Sequence, residues 1–177
     1  MTETTATETA AVAPDSRPFG GGEYDLGRGL LRRLDADAAA VLGPILAATD
    51  PWRRLGFVAA DLTRYLLRDD AGLDRFLISV GGAPVGVLCL RFPWLRGAYI
   101  ELVGLAPAAR GSGIGAAMIA WMGAEISGRA GNLWATVSAF NAGARRFYAT
   151  QGFVEVAVLP DLVRAGEDDV FIRKRIG

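Results

Sequence analysis

The stretch ARGSGIGAAM, residues 109–118, places an arginine and three glycines around the start of an apolar, alanine-rich run. Because glycine has no Cβ, consecutive backbone N–H groups can turn toward one anion. The start of the following helix adds unpaired N–H groups and a partial positive charge. The stretch therefore predicts a site for a pyrophosphate. Close packing of the helix on a strand is the alternative that the glycines alone leave open.

Two common nucleotide-binding loops do not fit this stretch. A Walker loop ends in Gly-Lys-Ser/Thr, and residues 109–118 contain no lysine. A dinucleotide fingerprint is matched by Gly111, Gly113 and Ala116, but residues 106–110 separate the loop from the preceding strand. The following strand also lacks the acidic residue that would bind a ribose. These residues therefore disfavour both a nucleoside triphosphate and a dinucleotide.

Composition excludes several further classes of function. The 177 residues carry 19 basic and 19 acidic side chains with no basic stripe, so nucleic acid is not an expected partner. With no histidine and with Cys89 as the single cysteine, neither a zinc site nor a histidine-based triad is expected. No metal cofactor is predicted. A lone cysteine suits a reducing cytoplasm. The longest apolar stretch, residues 113–124, is shorter than the roughly 18 residues of a membrane helix, so no membrane partner is expected.

The order of the predicted elements indicates one α/β domain. Residues 1–25 are predicted as a disordered N-terminal tail without a secretory signal, and residues 26–177 as a single domain. Hairpins followed by strand–helix–strand units favour a mixed central sheet with helices on both faces. The predicted strands are 30–34, 75–80, 84–92, 98–105, 132–139, 153–159 and 168–176, and the predicted helices are 35–49, 56–70, 112–130 and 141–151.

Two motifs together resemble the signatures of the GCN5-related N-acetyltransferase (GNAT) superfamily. Residues 110–115, RGSGIG, match the Q/R-x-x-G-x-G/A acetyl-CoA loop of that family. Residues 141–153, NAGARRFYATQGF, are similar to its second signature, an asparagine followed by an aromatic–tyrosine pair and Gly-Phe. The two motifs occur in the expected order, separated by one helix and one strand. The resemblance covers residues 30–175.

The resemblance implies a GNAT-like, mostly antiparallel sheet of about seven strands, splayed between the fourth and fifth predicted strands. It implies that acetyl-CoA is the co-substrate and that its pantetheine arm lies in the splay. Asn141 would bond this arm, and Tyr148 would protonate the departing thiolate. The cofactor-binding residues implied are Val103, Gly104, Leu105, Arg110, Gly111, Ser112, Gly113, Ile114, Gly115, Asn141 and Tyr148.

Acetylation of an amine needs a base, because free alkylamines are mostly protonated at neutral pH. Glu101 lies in an otherwise apolar strand directly before the loop, and burial would raise its pKa. Tyr99 lies two residues earlier, on the same face. With Tyr148, these residues are the predicted catalytic set. The alternative for Glu101 is an ion pair with an arginine such as Arg91 or Arg96.

The predicted activity is direct transfer of an acetyl group to a small-molecule or peptide primary amine in a ternary complex. A non-catalytic acyl-CoA sensor and a transferase for another acyl-CoA donor are the alternatives. The resemblance places the acceptor between residues 49–57 and 159–169, with Trp52, Arg53, Arg54 and Trp94 either lining a pocket or packing. Cys89 is predicted as a small core residue. A homodimer fits the resemblance, since dimers are common in similar families.

Overall fold

The computed structural model describes residues 17–177. Asp35 and Asn141 start helices by accepting backbone N–H groups of Ala38 and Ala144. The strands are β1 (Glu23–Asp25), β2 (Leu30–Arg33), β3 (Leu73–Val80), β4 (Ala83–Trp94), β5 (Gly97–Leu105), β6 (Asn132–Ser138), β7 (Val154–Arg164) and β8 (Glu167–Arg175). The helices are α1 (Ala36–Ala47), α2 (Ala59–Leu67), α3 (Ile114–Ile126) and α4 (Ala142–Thr150), with a short 3₁₀ turn at Pro107–Ala109.

The described strands form one sheet in the order β1-β2-β3-β4-β5-β6-β8-β7. Every neighbouring pair is antiparallel except β5 and β6, which run parallel. The predicted mixed, mostly antiparallel sheet is therefore confirmed. It has one strand more than predicted, because β1 was assigned to the tail.

Residues 17–25, predicted as tail, belong to the sheet and the core instead. Phe19 is fully buried, with its ring centroid 5.3 Å from that of Trp121. Its backbone N–H donates to the Glu125 carboxylate at 2.9 Å. Composition missed this segment because only two aromatic side chains, Phe19 and Tyr24, anchor it on the core, and that signal is lost among glycines and polar neighbours. Residues 1–16 of the predicted tail lie outside the described residues.

Each face of the sheet carries its own helices, as predicted. α3 and α4 pack on one face through Met118, Met122 and Tyr148, which join a core that includes Phe76, Leu88, Ile100 and Val137. α1 and α2 pack on the other face through residues such as Leu46 and Leu66, against Leu77, Val87 and Leu102. Cys89 is fully buried in this second core, as predicted.

Two irregularities in β5 separate its C-terminal half from the neighbouring strand β6. β5 pairs with β6 only from Ala98 to Ile100, so residues 101–105 diverge from residues 136–138. On the other side, Ile100 pairs with Leu90 and Leu102 with Cys89. Glu101 is thus the extra residue of a β-bulge at the point where the splay begins. The predicted splay between these two strands is confirmed.

Candidate active site

A cavity of about 630 Å³ extends along the splay from the end of β5 to the glycine loop. Its walls are β5, the start of α3 and one side of α4. Ten of the eleven predicted cofactor-binding residues line it, and Ser112 is the exception. The lining set also contains residues outside the predicted cofactor-binding set, besides Trp52: Asp50, Pro51, Ala109, Ala116, Met118, Gly143, Ala144, Phe147 and Gln151.

The glycine loop has the backbone conformation that the sequence predicted for an anion site. Gly111 and Gly113 adopt φ angles of 74° and 87°, in the left-handed region that favours glycine. Gly113 precedes α3 and supplies no side-chain cap, so the first N–H groups of the helix face the cavity mouth without a capping side chain. An anion at this position would receive both the N–H groups and the positive end of the helix dipole.

Gly115 has a packing role, but between two helices and not between helix and strand as the alternative interpretation of the loop supposed. A Cβ on Gly115 would lie 2.9 Å from the Phe147 ring, so this glycine permits α3 to approach α4. In contrast, a Cβ on Gly111 would meet no atom within 4 Å. The sequence pattern therefore combines two physical requirements: backbone conformation at Gly111 and Gly113, and close packing at Gly115.

Two side chains hold the loop from outside. Arg110 donates from Nε to the Leu105 carbonyl at 3.2 Å, which ties the loop to the end of β5. Ser112 donates its hydroxyl to the Ala109 carbonyl at 2.7 Å, and its own carbonyl accepts from Arg28 at 3.2 Å. Arg28 was missed at the sequence level. Its Gly-Arg-Gly context indicates a turn, but nothing local connects it with residue 112.

Gly104 brings the acceptor-side segment against the cavity. A Cβ on Gly104 would overlap Leu46 and lie 2.9 Å from the Trp52 ring. Trp52 consequently reaches the wall of the cavity beside Asp50 and Pro51. The predicted role of Trp52 in lining a pocket is consistent with this position.

Asn141 and Tyr148 lie on one side of α4 and both line the cavity. Asn141 caps the helix, with its side-chain oxygen accepting from Ala144 at 3.1 Å, so its amide N–H groups stay available. Tyr148 is 5% exposed and packs edge-on against Phe147 and Phe153. Burial, and secondarily Tyr99, raise the pKa of Tyr148. No residue in 17–177 hydrogen-bonds its hydroxyl, which leaves a neutral proton donor at the cavity.

Tyr99 bridges strands β5 and β6 close to the point where they diverge. Its hydroxyl lies 2.9 Å from the Thr136 hydroxyl of β6, and its ring stacks on Trp94 with a centroid distance of 4.6 Å. Burial raises the pKa of Tyr99. Trp94 in turn meets Trp134 and Phe171 edge-on. Trp94, Tyr99, Trp134 and Phe171, here called the aromatic floor, lie together on the α1/α2 side of the sheet.

Glu101 lies in an ion-pair network. Its Oε1 accepts from the Tyr65 hydroxyl and from Arg68, each at 2.7 Å, and its Oε2 accepts from Arg91. Arg91 also contacts Asp70 and lowers the pKa of that carboxyl to about 2. The structure therefore places Glu101 beside Tyr99 as expected, and it also contains the arginine pair that the sequence left open. Both carboxylate oxygens already have partners.

The two predicted acceptor segments meet through Arg54. Its guanidinium pairs with Glu167 at 3.1 Å and lies 3.9 Å from the centre of the Phe140 ring. Its backbone carbonyl accepts from Arg164 at 3.0 Å. Arg53 instead pairs with Asp50 at 3.0 Å on the exposed side. Arg54 therefore links the two segments, whereas Arg53 is a surface residue.

Asp169 is the buried carboxylate on this side of the sheet, at 4% exposure. It faces Ser138 across the β6–β8 ladder, two residues from Phe171. Burial raises the pKa of Asp169, while hydrogen bonds from the Ser138 hydroxyl and the Val163 N–H oppose the shift. Within 17–177 it forms no ion pair. The sequence treated it as part of an acidic run at a turn and missed its burial.

The Acetyltransferase (GNAT) family model matches residues 44–153, more than half of the chain. This chain belongs to the GNAT acetyltransferase family. The predicted resemblance and the predicted acyltransferase class are confirmed. No curated protein sequence matches the chain.

Solved acetyltransferase structures share the architecture. An acetyltransferase from Thermus thermophilus is 24% identical, with a TM-score of 0.66 over 82% of this chain and 95% of that chain. Nourseothricin acetyltransferase is 25% identical, with a TM-score of 0.55 over 63% and 69%. A structure from Bacillus anthracis str. Ames in complex with acetyl coenzyme A is 18% identical, with a TM-score of 0.54 over 62% and 65%.

The described part of this GNAT chain, residues 17–177, contains neither a membrane-spanning helix nor a metal-binding cluster. None of its helices is long and apolar enough to cross a membrane. No group of three or more His, Cys, Asp or Glu side chains within residues 17–177 is arranged to hold a metal ion.

Proposed function

We propose that this GNAT protein transfers the acetyl group of acetyl-CoA to a primary amine by direct attack in a ternary complex. The observation that carries the proposal is the continuous cavity between the uncapped start of α3 and the Tyr148 hydroxyl. The chemistry of its two ends fits a pyrophosphate at the helix start and a thioester beside Tyr148. The related Bacillus anthracis structure, which contains acetyl coenzyme A, supports the same donor.

In this proposal, the donor lies along β5. The pyrophosphate occupies the N–H groups of residues 110–115, and the pantetheine arm pairs with the unpaired edge of residues 103–105, beside Asn141. The bulge at Glu101 reorients neighbouring backbone N–H groups, which is a way to supply donors to the developing oxyanion.

The transfer step uses Tyr148 as the acid. The amine first loses a proton, its nitrogen then forms a C–N bond with the thioester carbon, and the C–S bond breaks. Tyr148 gives its hydroxyl proton to the departing sulfur and regains one from the nitrogen of the collapsing intermediate. Its raised pKa keeps this proton in place at neutral pH.

Two carboxylates compete for the role of base. Glu101 is the sequence prediction, but both of its carboxylate oxygens already accept hydrogen bonds, from Tyr65 and Arg68 and from Arg91, which favours a positioning role at the bulge. Asp169 is buried without an ion pair among residues 17–177, and its raised pKa makes it the better proton acceptor near neutral pH. Tyr99, between the two, orients the acceptor through its hydroxyl.

A cationic amine suits the α1/α2 side of the sheet. The aromatic floor offers π faces to an ammonium or its aliphatic body, and Asp169 offers a negative charge. The related nourseothricin acetyltransferase supports a small-molecule acceptor.

The test is a thiol-release assay with acetyl-CoA and a panel of primary amines, with the acetylated product identified by mass. We expect amine-dependent thiol release, and reactions without amine serve as the control. Binding of acetyl-CoA without turnover of any amine would support the sensor alternative. Turnover restricted to another acyl-CoA would support the alternative donor.

A further inference from the structure

Arg28 lies against the glycine loop although it is 84 residues from Ser112 in the sequence. It belongs to the turn between β1 and β2, and its Nη1 donates to the Ser112 carbonyl at 3.2 Å. Its Cδ and Nε lie 3.1 Å from the position that a Cβ on Gly113 would occupy. The guanidinium therefore covers the residue that immediately precedes α3.

The charge around this contact is unbalanced. Among the residues that the structure describes, no carboxylate forms an ion pair with Arg28, and residues 106–117 contain no acidic side chain. The start of α3 is itself positive and lacks a side-chain cap. A cation beside a helix N-terminus is unfavourable unless an anion lies between or beside them. The arrangement thus has an excess of positive charge, to which Arg110 of the loop also contributes, and no carboxylate among residues 17–177 forms an ion pair with Arg28.

The geometry of a guanidinium suits a phosphate in particular. Arginine carries five N–H donors in a planar fork, and only one is used on the Ser112 carbonyl. The remaining donors can form a bidentate pair with phosphate oxygens. The exposed position of Arg28 at the outer rim of the loop leaves these donors accessible to a ligand.

We propose that Arg28, on the β1–β2 hairpin, binds a phosphate group of the acyl-CoA donor and adds a second guanidinium to a loop whose own sequence supplies Arg110 alone. The inference rests on the proposed use of acetyl-CoA. It makes the hairpin, part of which the sequence assigned to the tail, a component of the donor site. CoA carries both a pyrophosphate and a ribose 3′-phosphate, and the experiment distinguishes them.

The experiment measures binding of acetyl-CoA, its 3′-dephospho analogue and phosphate-free acetyl-pantetheine to wild type, Arg28→Ala and Arg28→Gln. Calorimetry serves for the first two ligands and thermal shift for the third. Arg32→Ala is the matched control, since Arg32 is exposed on β2 of the same hairpin and its replacement removes the same charge. Arg28→Gln keeps a donor for the Ser112 carbonyl but loses the charge.

We expect both Arg28 variants to weaken acetyl-CoA binding by about tenfold, the effect of one lost charge-assisted hydrogen bond, while Arg32→Ala changes it little. Acetyl-pantetheine binding should not change. An equal loss for the 3′-dephospho analogue assigns the contact to the pyrophosphate. Retention of that ligand's affinity assigns the contact to the 3′-phosphate.

Three results would overturn the inference. The first is an acetyl-CoA affinity of Arg28→Ala equal to that of Arg32→Ala. The second is a wild-type affinity in Arg28→Gln, which would show that Arg28 only tethers the Ser112 carbonyl. An equal loss for acetyl-pantetheine would show a disturbed loop. If wild type bound no acetyl-CoA, the proposed function itself would fail, and that outcome is distinct from all three.

Discussion

Replacing Gly113 with aspartate tests the donor site at its most constrained residue. Gly113 has a φ of 87°, and a Cβ there would press against Arg28 at 3.1 Å. The new carboxylate would enter the space proposed for the pyrophosphate and would also attract Arg28 away from a ligand. We expect Gly113→Asp to lose most of its affinity for acetyl-CoA.

The magnitude follows from two contributions. A side chain at this left-handed φ costs about 1–2 kcal/mol of folding stability, and this cost is present with or without ligand. Repulsion between unit charges about 5 Å apart, at an effective dielectric constant of about 20, is about 3 kcal/mol. That repulsion weakens binding more than about 100-fold.

The assay is the thermal shift caused by acetyl-CoA. At about 100 times the dissociation constant, the ligand adds about 2.7 kcal/mol, which raises the Tm of a chain of this size by about 5–10 °C. At the same ligand concentration, Gly113→Asp should shift by less than about 2 °C.

Gly113→Asn is the matched control, because asparagine has nearly the same shape, tolerates a positive φ and carries no charge. It should lower the Tm of the free protein about as much as aspartate does and retain more of the ligand-induced shift. Equal shifts in both variants would refute the charge argument. A wild-type shift preserved in Gly113→Asp would refute the anion site.

Three further predictions concern the chemistry. Tyr148→Phe should lower kcat about 100-fold while the acetyl-CoA thermal shift stays at the wild-type value, and an equal loss of both would indicate a packing role. Glu101→Gln should lower the Tm, because Arg68 and Arg91 lose their anionic partner. The pH–rate profile of this variant should keep the wild-type shape. Loss of the acidic limb of that profile would instead identify Glu101 as the base. Asp169→Asn should raise the Tm at neutral pH, because the raised pKa of this carboxyl means that wild type loses stability as pH rises above about 4, the unfolded value. The Tm difference between Asp169→Asn and wild type should vanish on acidification, and Asp169→Asn should lower amine turnover. The exposed Asp168→Asn, as the control, should change neither the Tm nor the turnover. An unchanged Tm of Asp169→Asn at neutral pH would contradict the burial argument.

The sequence alone determined the parts of this protein that depend on local chain properties. Glycine permits the left-handed backbone found at Gly111 and Gly113, and the apolar run that follows them predicted the start of α3. Asn141 and Tyr148 share a helix face because they are seven residues apart. Period-two and period-3.6 patterns likewise predicted all but one of the described strands and helices.

Tertiary structure decided everything that depends on residues distant in the chain. The sequence left Glu101 open between a base and an ion pair with Arg91 or Arg96, and only folding placed both Arg68 and Arg91 beside it, 33 and 10 residues away. Asp169 looked solvated until the β7–β8 hairpin covered it. Phe19 and Arg28 gained their roles only through contacts with α3 and its loop. Such pairings are set by the sum of packing and charge over the whole fold, so no short stretch of sequence encodes them. The loop proposed to bind the donor is local in this sense, whereas the proposed acceptor site is assembled by the fold.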